Sequence, residues 1–360
     1  MAIKIDHSEA ARVLNSAFTT RKLLQDSTAE NITDVLTGSH KTYRYILITA
    51  LLAKATDDKI DVYSIQAQDN STGAYDARSL CHKVIVKFER NVLPNGLGGS
   101  NEPFLNKPAR FPRISADNAV RKGNDTIALG KIIKALGQIQ DKNQAFSLLC
   151  HAVAVMEINH EGYEKKYQIS DVNSEVEDSI QAILDFICSL CEKSCEGEIC
   201  PLVVSSLEHI FLGKEFRVVP HKVNESGSSS KEIGDIDIYN SEEKIVFSFE
   251  VKDKTFSQQD VEHAVKKFVE AKIFRSFFIY GKNVEFSERT SILQMLGRFG
   301  RMGYYCCFVN IIDYSKLRLA SIPDIKLSSF VSILLYFAKV INASDETIEW
   351  IKETYKRSRL

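Results

Sequence analysis

The segment 234–254 constrains the fold of this chain more than any other, because apolar and polar residues alternate along two runs separated by a polar break. Such alternation is typical of strands with one buried face, since successive side chains point to opposite sides of a sheet. Asp235 and Asp237 share one face of the first run, and Glu250 and Lys252 share the polar face of the second. The segment therefore predicts a β-hairpin that carries carboxylates and an amine on a single face.

A hairpin that is symmetric about a two-residue turn at 243–244 places Asp237 directly opposite Glu250 and Asp235 opposite Lys252. Like charges at cross-strand distance repel, and a divalent cation is the obvious compensation. Carboxylate oxygens suit Mg²⁺, which keeps several waters and also binds phosphate oxygens. With Lys252 to orient a water or neutralise developing charge, these side chains predict Mg²⁺-dependent phosphodiester hydrolysis. We therefore assign Asp237, Glu250 and Lys252 as catalytic residues.

The pattern Glu-x-Lys carries little information by itself, because it occurs four times in the chain, starting at Glu164, Glu242, Glu250 and Glu270. Three of these occurrences lie in charged, solvated surroundings. Only the one at Glu250 lies inside an aliphatic and aromatic strand, with acidic residues at matching parity on the neighbouring strand. The alternative interpretation is the exposed edge of a hairpin.

The rest of the second half alternates between helical and strand patterns, which predicts a mixed sheet flanked by helices and an α/β fold of the α+β mixed-sheet kind. The predicted helices are 176–190, 202–212, 258–272, 288–301, 327–341 and 345–357, and the predicted strands are 216–222, 234–239, 244–251, 276–280 and 304–311. We expect the last two helices to pack on the outside of the sheet.

The first half is mainly helical, with apolar residues at three-to-four spacing. The predicted helices are 41–57, 76–93, 125–137 and 142–159. The stretch 94–113 contains prolines and glycines that exclude a continuous helix or strand, and a loop of this length usually has a function. We divide the chain into a large helical portion, 1–172, and a mixed-sheet core with C-terminal helices, 173–360.

Composition limits the classes of protein. The net charge of -1 gives no global attraction to nucleic acid, so any DNA affinity has to come from local clusters of Lys and Arg. The charged start and the short apolar runs, 45–53 and 330–338, predict a cytoplasmic protein that does not enter a membrane. We expect the eight cysteines to be reduced thiols, and the helical spacing of Cys188, Cys191 and Cys195 favours core positions over a zinc site.

The hairpin resembles the active-site segment of the PD-(D/E)XK nuclease superfamily, which has an acid on one strand and Glu-x-Lys on the next. Asp237, Glu250 and Lys252 match that pattern. Ile236 stands where the pattern has a proline, which leaves Asp235 as a competitor for the first acid. We favour Asp237 because of its expected place opposite Glu250.

This resemblance implies a restriction-endonuclease-like core and a metal site. Members of the superfamily often add a carboxylate from the preceding helix, and Glu208 is the best placed residue for that role. A solvated helix face is the equal alternative for Glu208. The candidate metal ligands are therefore Asp237, Glu250, Asp235 and Glu208.

The runs GAYDARSLCHKVIVKFER at 73–90 and LGGSNEPFLNKPARF at 97–111 resemble the SacI family of restriction endonucleases. Together with the hairpin, this resemblance covers most of the chain. It implies a type II restriction endonuclease of a restriction-modification system, which cuts both strands of double-stranded DNA at a short specific sequence as a homodimer with Mg²⁺. A less sequence-selective or modification-dependent nuclease, or a non-cleaving DNA-binding protein with this fold, are the alternatives.

The same runs carry side chains that suit contacts with DNA, because Arg and Lys bind phosphates or guanine edges and Asn reads adenine with two hydrogen bonds. The candidate DNA-binding residues are Arg78, His82, Lys83, Asn101, Asn106, Lys107, Arg110 and Arg113. A solvated helix followed by a structural loop is the alternative interpretation of these residues.

Overall fold

The computed structural model describes residues 2–119, 123–169, 179–222, 232–323 and 325–359. The chain divides into two compact units, Met1–Lys165 and Lys166–Leu360. The expected domain boundary after residue 172 lies outside the described residues. None of the described helices is both long and apolar enough to cross a bilayer.

The first unit is helical and is built around one buried helix. Its helices are α1 (His7–Thr19), α2 (Ser27–Thr37), α3 (Lys41–Thr56), α4 (Ala77–Leu80), α5 (Val86–Val92), α6 (Asn124–Leu136) and α7 (Lys142–Lys166). In α3 every residue from Tyr43 to Ala55 is buried except Arg44. A helix that is buried on all sides has to be enclosed, and helices α1, α2, α4 and α6 pack against α3.

The helices predicted for this unit are present, with two differences. The helix predicted over 76–93 contains a π-helical turn, Cys81–Ile85, between α4 and α5, and the one predicted over 142–159 continues to Lys166. Helices α1 and α2 were not predicted. Each begins after an aspartate, Asp6 or Asp26, whose carboxylate accepts backbone N–H groups of the first turn.

The stretch 94–113 forms no continuous helix or strand, as predicted. It contains two short 3₁₀ turns, Pro103–Leu105 and Lys107–Arg110, and its end pairs with Ser64 through a single β-bridge at Arg113. Buried side chains such as Leu97 and Phe104 fasten the stretch to the core of the unit. The loop is therefore ordered by packing and hydrogen bonds rather than by secondary structure.

The second unit contains a five-stranded mixed sheet, which confirms the predicted fold class. Its strands are β1 (Arg217–Pro220), β2 (Ile236–Tyr239), β3 (Ile245–Lys252), β4 (Arg275–Tyr280) and β5 (Tyr305–Asn310), and its helices are α8 (Ile180–Leu190), α9 (Ile199–Leu212), α10 (Gln258–Glu270), α11 (Arg289–Arg301), α12 (Ile311–Leu319), α13 (Leu327–Val340) and α14 (Asp345–Arg357). The spatial order is β1-β2-β3-β4-β5, with β2 antiparallel to β1 and β3. Strands β3, β4 and β5 are parallel. The first residues of the helix predicted over 176–190 lie outside the described residues.

Helices cover both faces of this sheet. On one face Phe249 of β3 stacks on Phe277 of β4 at 4.6 Å between ring centroids, and Tyr314 of α12 meets both rings edge on. On the other face Phe278 of β4 packs with Phe256 and with the apolar sides of α10 and α11. Alternate residues of β3 therefore face two different layers of helices.

The C-terminal helices pack against α8 and α9. Helix α13 contacts α9, and α14 contacts α8 and α13. Glu198 accepts hydrogen bonds from the Ser344 N–H and hydroxyl and from Thr347, which fastens the start of α14. Helix α12 was not predicted, because its residues Ile311–Leu319 directly continue the apolar run of β5.

Candidate active site

The β2–β3 hairpin has a different register from the predicted one. Asp237 pairs with Ser248, two residues before Glu250, so the prediction that Asp237 lies directly opposite Glu250 is wrong. The cause is the turn, which spans 240–244 instead of two residues and has Glu243 at φ +57°, together with a bulge that shifts the register between Ile238 and Tyr239. A shift of two residues preserves parity, so both acids and Lys252 remain on the same side of the sheet.

Asp237 is fully buried and its carboxylate is occupied by the protein itself. It accepts hydrogen bonds from His221 Nε2 at 2.9 Å, from the Ile233 N–H at 3.1 Å, from the Gly234 N–H at 3.2 Å and from the Ser248 hydroxyl. His221 and Ser248 lie on either side of β2, so these contacts join three neighbouring segments. The carboxylate of Asp237 therefore orders the backbone that leads into β2, and the catalytic role of Asp237 stays a prediction.

Asp235 takes the position that the sequence analysis gave to Asp237. The pairing of Ile236 with Phe249 continues to Asp235, whose N–H donates to the Phe249 carbonyl at 2.8 Å, and this register places Asp235 across from Glu250 rather than Lys252. Its Oδ2 accepts the Val251 N–H at 2.7 Å. Burial, together with the negative charge of Glu250, raises the pKa of Asp235 to about 6.

Glu250 and Lys252 complete the cluster. Oε1 of Glu250 lies 2.6 Å from the Lys252 ammonium. Oε2 of Glu250 is buried and accepts no hydrogen bond from the described residues. Burial acts to lower the pKa of Lys252, but the charge of Glu250, the hydrogen bond to it and the charge of Asp235 raise the pKa above its usual value. Lys252 is therefore an ammonium at neutral pH.

The cluster borders a cleft of about 690 Å³ in the second unit. Asp235, Lys252 and Asp253 line one side of it, and residues of the 194–197 turn line another. Two further lysines, Lys222 and Lys254, also face the cleft. The lining of the cleft therefore combines three lysines with three carboxylates, Glu196, Asp235 and Asp253.

The residues present fit a hard divalent cation. In the described part of the chain no three His, Cys, Asp or Glu side chains form a metal-binding group, so the protein would supply two carboxylates, Asp235 and Glu250. Mg²⁺ is commonly held by one or two carboxylates, with waters and substrate phosphates in the other positions. The buried Oε2 of Glu250, which lacks a hydrogen bond, is an oxygen that such a cation would satisfy.

Glu208 does not contribute to this cluster. Its carboxylate accepts hydrogen bonds from Arg318 Nε at 2.5 Å and from the Tyr314 hydroxyl. Tyr314 packs on Phe249, which points to the opposite face of the sheet from Glu250. Burial raises the pKa of Glu208 against the opposing charge of Arg318. Glu208 thus pairs with two residues of α12, and its metal role stays a prediction.

Two family models of restriction endonuclease domains match this chain. Residues 9–160 match the family model of the SacI restriction endonuclease N-terminal domain, and residues 173–282 match that of the C-terminal domain. The chain belongs to the SacI family of restriction endonucleases. The second match contains the hairpin with Asp235, Glu250 and Lys252.

A named relative of this SacI-family chain is the type II restriction enzyme SacI of Streptomyces achromogenes, which is 29% identical over 191 residues. The match covers 51% of this chain and 52% of the relative. The chain therefore spans about half the length of the relative that it matches.

The N-terminal domain of this SacI-family chain presents three of the candidate DNA-binding residues on one helical segment. Arg78, His82 and Lys83 are exposed, and the first two flank one carboxylate. Glu102 lies 3.8 Å from Arg78 Nη2 and 3.2 Å from His82 Nε2. The α4–α5 segment and the loop that follows it are thus brought to one surface.

The candidates in the loop have different environments. Asn101 accepts a hydrogen bond from Arg90 Nη2 at 2.8 Å, and Arg110 donates from Nε to the Leu105 carbonyl at 2.6 Å. Asn101, Asn106, Lys107 and Arg110 are exposed.

Arg113 differs from these candidates, because its Nη1 binds Asp61 at 2.7 Å and Asp69 at 2.8 Å. The position of Arg113 fits a bridge between two chain segments better than a contact to DNA.

A residue that sequence reasoning missed orders this loop. Glu89 is buried in the α5 helix, and its Oε1 accepts the N–H groups of Leu97 at 2.8 Å and Gly99 at 3.0 Å. Its Oε2 accepts the Tyr45 hydroxyl at 2.6 Å, and that hydroxyl accepts the Ser100 N–H at 2.7 Å. The signal in the sequence is that Glu89 follows Ile85 by four residues and thus lies on the apolar side of the helix.

Proposed function

We propose that the protein is a type II restriction endonuclease that hydrolyses phosphodiester bonds in double-stranded DNA at a short specific sequence, with Mg²⁺ as its cofactor. The observation that carries this proposal is the convergence of Asp235, Glu250 and Lys252 beside a cleft, within the match to the SacI C-terminal domain. The type II activity named for the relative supports it. Asp235 replaces Asp237 as the proposed first acid.

Each residue of the cluster has a proposed role. Asp235 and Glu250 would hold Mg²⁺, and Mg²⁺ bound there supplies positive charge at the scissile phosphate and acidifies water. Lys252, which Glu250 holds at 2.6 Å, donates a hydrogen bond to the attacking water or to a phosphate oxygen. The Val251 N–H keeps Asp235 turned toward this position.

The cleft and the first domain would bind the DNA. Lys222 and Lys254, at the cleft, would contact phosphates near the cut, which positions the strand without reading sequence. Base recognition is assigned to the exposed polar side chains of the α4–α5 segment and its loop, because Arg, Lys and Asn bind base edges in the major groove. These residues are Arg78, His82, Lys83, Asn101, Asn106, Lys107 and Arg110.

The proposed assembly is a homodimer in the cytoplasm. Two identical active sites related by a two-fold axis suit a palindromic site, in which each strand presents the same sequence to one subunit. All eight cysteines are free thiols, which agrees with a reducing compartment. Sedimentation of the protein with and without a specific duplex would measure the assembly, and a monomer on specific DNA would contradict the dimer.

The test of the activity is digestion of fully sequenced plasmid DNA by EDTA-treated protein, with and without added Mg²⁺. We expect discrete fragments with mapped, uniform ends only when Mg²⁺ is present. Lys252→Met should abolish cutting. Glu242→Gln is the matched control, because Glu242 belongs to a second Glu-x-Lys pattern in the exposed turn of the same hairpin.

Other outcomes of the same digest identify the alternatives. A smear of fragments would indicate a nuclease without sequence selectivity. DNA binding without cutting, under every metal condition, would indicate a binding protein that retains the fold. Cutting by Lys252→Met at the wild-type rate would remove the cluster from the mechanism.

A further inference from the structure

A second lysine reaches the candidate metal site from a helix. Lys267 lies on α10, beside the buried residues Val265 and Phe268 that face the sheet. Its ammonium lies 3.6 Å from Oε2 of Glu250. Lys267 therefore acts on the Glu250 carboxylate, although no sequence pattern singled it out.

The two oxygens of Glu250 have different partners. Oε1 lies 2.6 Å from Lys252, within hydrogen-bond distance. Oε2 is buried and accepts no hydrogen bond from the described residues, and Lys267 at 3.6 Å is too distant to donate one. The positive charge of Lys267 thus partly neutralises Oε2 of Glu250. No hydrogen-bond donor among the described residues contacts this oxygen, so a cation could bind it directly.

The neighbouring lysine on the same helix behaves as an ordinary surface residue. Lys266 lies 2.8 Å from Glu262, one helical turn away, and its side chain is 58% exposed, against 40% for Lys267. Pairs of this kind within a helix have a small effect on stability. Lys266 and Lys267 share residue type and helix, so they form a matched pair for experiment.

We propose that Lys267 is a built-in counter-ion that stands in for the divalent cation at Glu250 in the metal-free protein and is displaced when the cation binds. The inference rests on the metal site of the proposed function. Without a cation, Asp235 and Glu250 repel each other in a buried setting, and the ammonium relieves that repulsion. When a cation binds, it has to compete with this charge, so Lys267 weakens the affinity of the site and keeps the empty site stable.

The test measures Mg²⁺ binding by calorimetry for wild type, Lys267→Met and Lys266→Met, in full-length protein without DNA. Removal of a partly exposed charge at this distance should tighten Mg²⁺ binding by about fivefold in Lys267→Met. Lys266→Met should match wild type. Lys267→Arg keeps the charge and should keep the wild-type affinity, which separates charge from side-chain shape.

A second readout uses the melting temperature in EDTA and in Mg²⁺. Lys267→Met should melt at a lower temperature than wild type in EDTA and should gain more from Mg²⁺, because a ligand that binds only the folded state stabilises it more when it binds more tightly. An unchanged Mg²⁺ affinity in Lys267→Met, in a wild type that binds Mg²⁺ and cuts DNA, would overturn this inference alone. A wild type that neither binds Mg²⁺ nor cuts DNA would overturn the proposed function with it.

Discussion

The Val251 N–H donates a hydrogen bond to Oδ2 of Asp235 at 2.7 Å. Val251 stands between Glu250 and Lys252 in β3, so this contact fixes the Asp235 carboxylate beside both of them. The neighbouring acid, Asp237, is held instead by four donors from the protein. We propose a chemical role for Asp235 and a structural role for Asp237, and substitutions should separate the two.

Asp235→Asn should lower the Mg²⁺-dependent cutting rate by about 100-fold or more, because loss of even an outer partner of a metal ligand commonly costs 10- to 100-fold. Single-turnover cleavage of a specific duplex measures the effect. The free energy of unfolding in EDTA should not fall, since the change removes a charge that repels Glu250. Cutting within threefold of wild type would exclude Asp235 from the site.

Asp237→Asn should lower the free energy of unfolding by about 2–3 kcal/mol, because a buried acceptor of four hydrogen bonds would then place an amide group against donors. Urea denaturation, followed by far-UV circular dichroism, measures the change. Asp313→Asn, in an exposed ion pair on α12, is the control and should stay within about 0.5 kcal/mol of wild type. A stable Asp237→Asn protein would contradict the structural role.

Gly234→Ala should distort the start of β2. A Cβ at this position would lie 2.5 Å from the Phe249 carbonyl oxygen, which is backbone and has little room to move. We expect a loss of about 1–3 kcal/mol in unfolding free energy, together with slower cutting. Gly300→Ala is the control, because its Cβ meets nothing within 4 Å and an alanine in a helix should stabilise by about 0.5–1 kcal/mol. Equal stability of both variants would argue against a close strand approach at Gly234.

Glu89→Gln should loosen the loop that follows α5. The amide would direct N–H groups at a position now surrounded by N–H and hydroxyl donors, which should cost about 1–3 kcal/mol. Amide hydrogen exchange at Leu97 and Gly99 should accelerate, and affinity for the specific duplex should fall. Lys87→Gln, exposed on the same helix, should leave both unchanged. Unaltered exchange in Glu89→Gln would mean that packing alone orders the loop.

The stability of the first unit should fall with acid through His151. This buried ring accepts the Leu24 N–H at Nδ1 and contacts the Ala29 carbonyl at Nε2, which fits the neutral form. Burial lowers the pKa of His151, against the hydrogen bond to Ala29. The unfolded chain therefore binds the proton first, so stability is full above about pH 6.5 and decreases as the pH falls through that value toward the folded-state pKa.

Unfolding by urea at pH 7.5 and pH 5.5 tests this prediction, with His151→Gln as the comparison. The variant should be less stable than wild type at the higher pH, and the difference between the two proteins should narrow at the lower pH. A constant difference across this range would show that His151 does not titrate on unfolding.

The sequence predicted the face of each acid in the hairpin but not the cross-strand partners. Parity follows from alternation alone, so Asp235, Asp237 and Glu250 were correctly placed on one side. Register depends on the number of residues in the turn and on the bulge at Tyr239, and neither leaves a clear mark in the residues. The choice between Asp235 and Asp237 depended on register, so the observed pairing changes which acid we propose as the first one.

Contacts between distant segments explain the other differences. Glu208 was predicted as a ligand because its own helix permits it, but its partner Arg318 lies in α12, a helix that the apolar run of β5 concealed. Arg113 was predicted to contact DNA, and no local pattern indicated that it binds Asp61 and Asp69. Long-range ion pairs of this kind have no local signature, whereas amphipathic helices and alternating strands do.

The hydrogen bonds from the Leu97 and Gly99 N–H groups to the buried Glu89 carboxylate have an evolutionary implication. The backbone path at Leu97 and Gly99 depends on hydrogen bonds from their N–H groups to the buried Glu89 carboxylate. Neighbouring side chains such as Asn101 are exposed. Under the proposed function, exposed residues of this loop can change, and with them the target preference, without a change in the backbone path. Glu89 thus supports the backbone of this loop, and different residues, such as the exposed Asn101, face solvent.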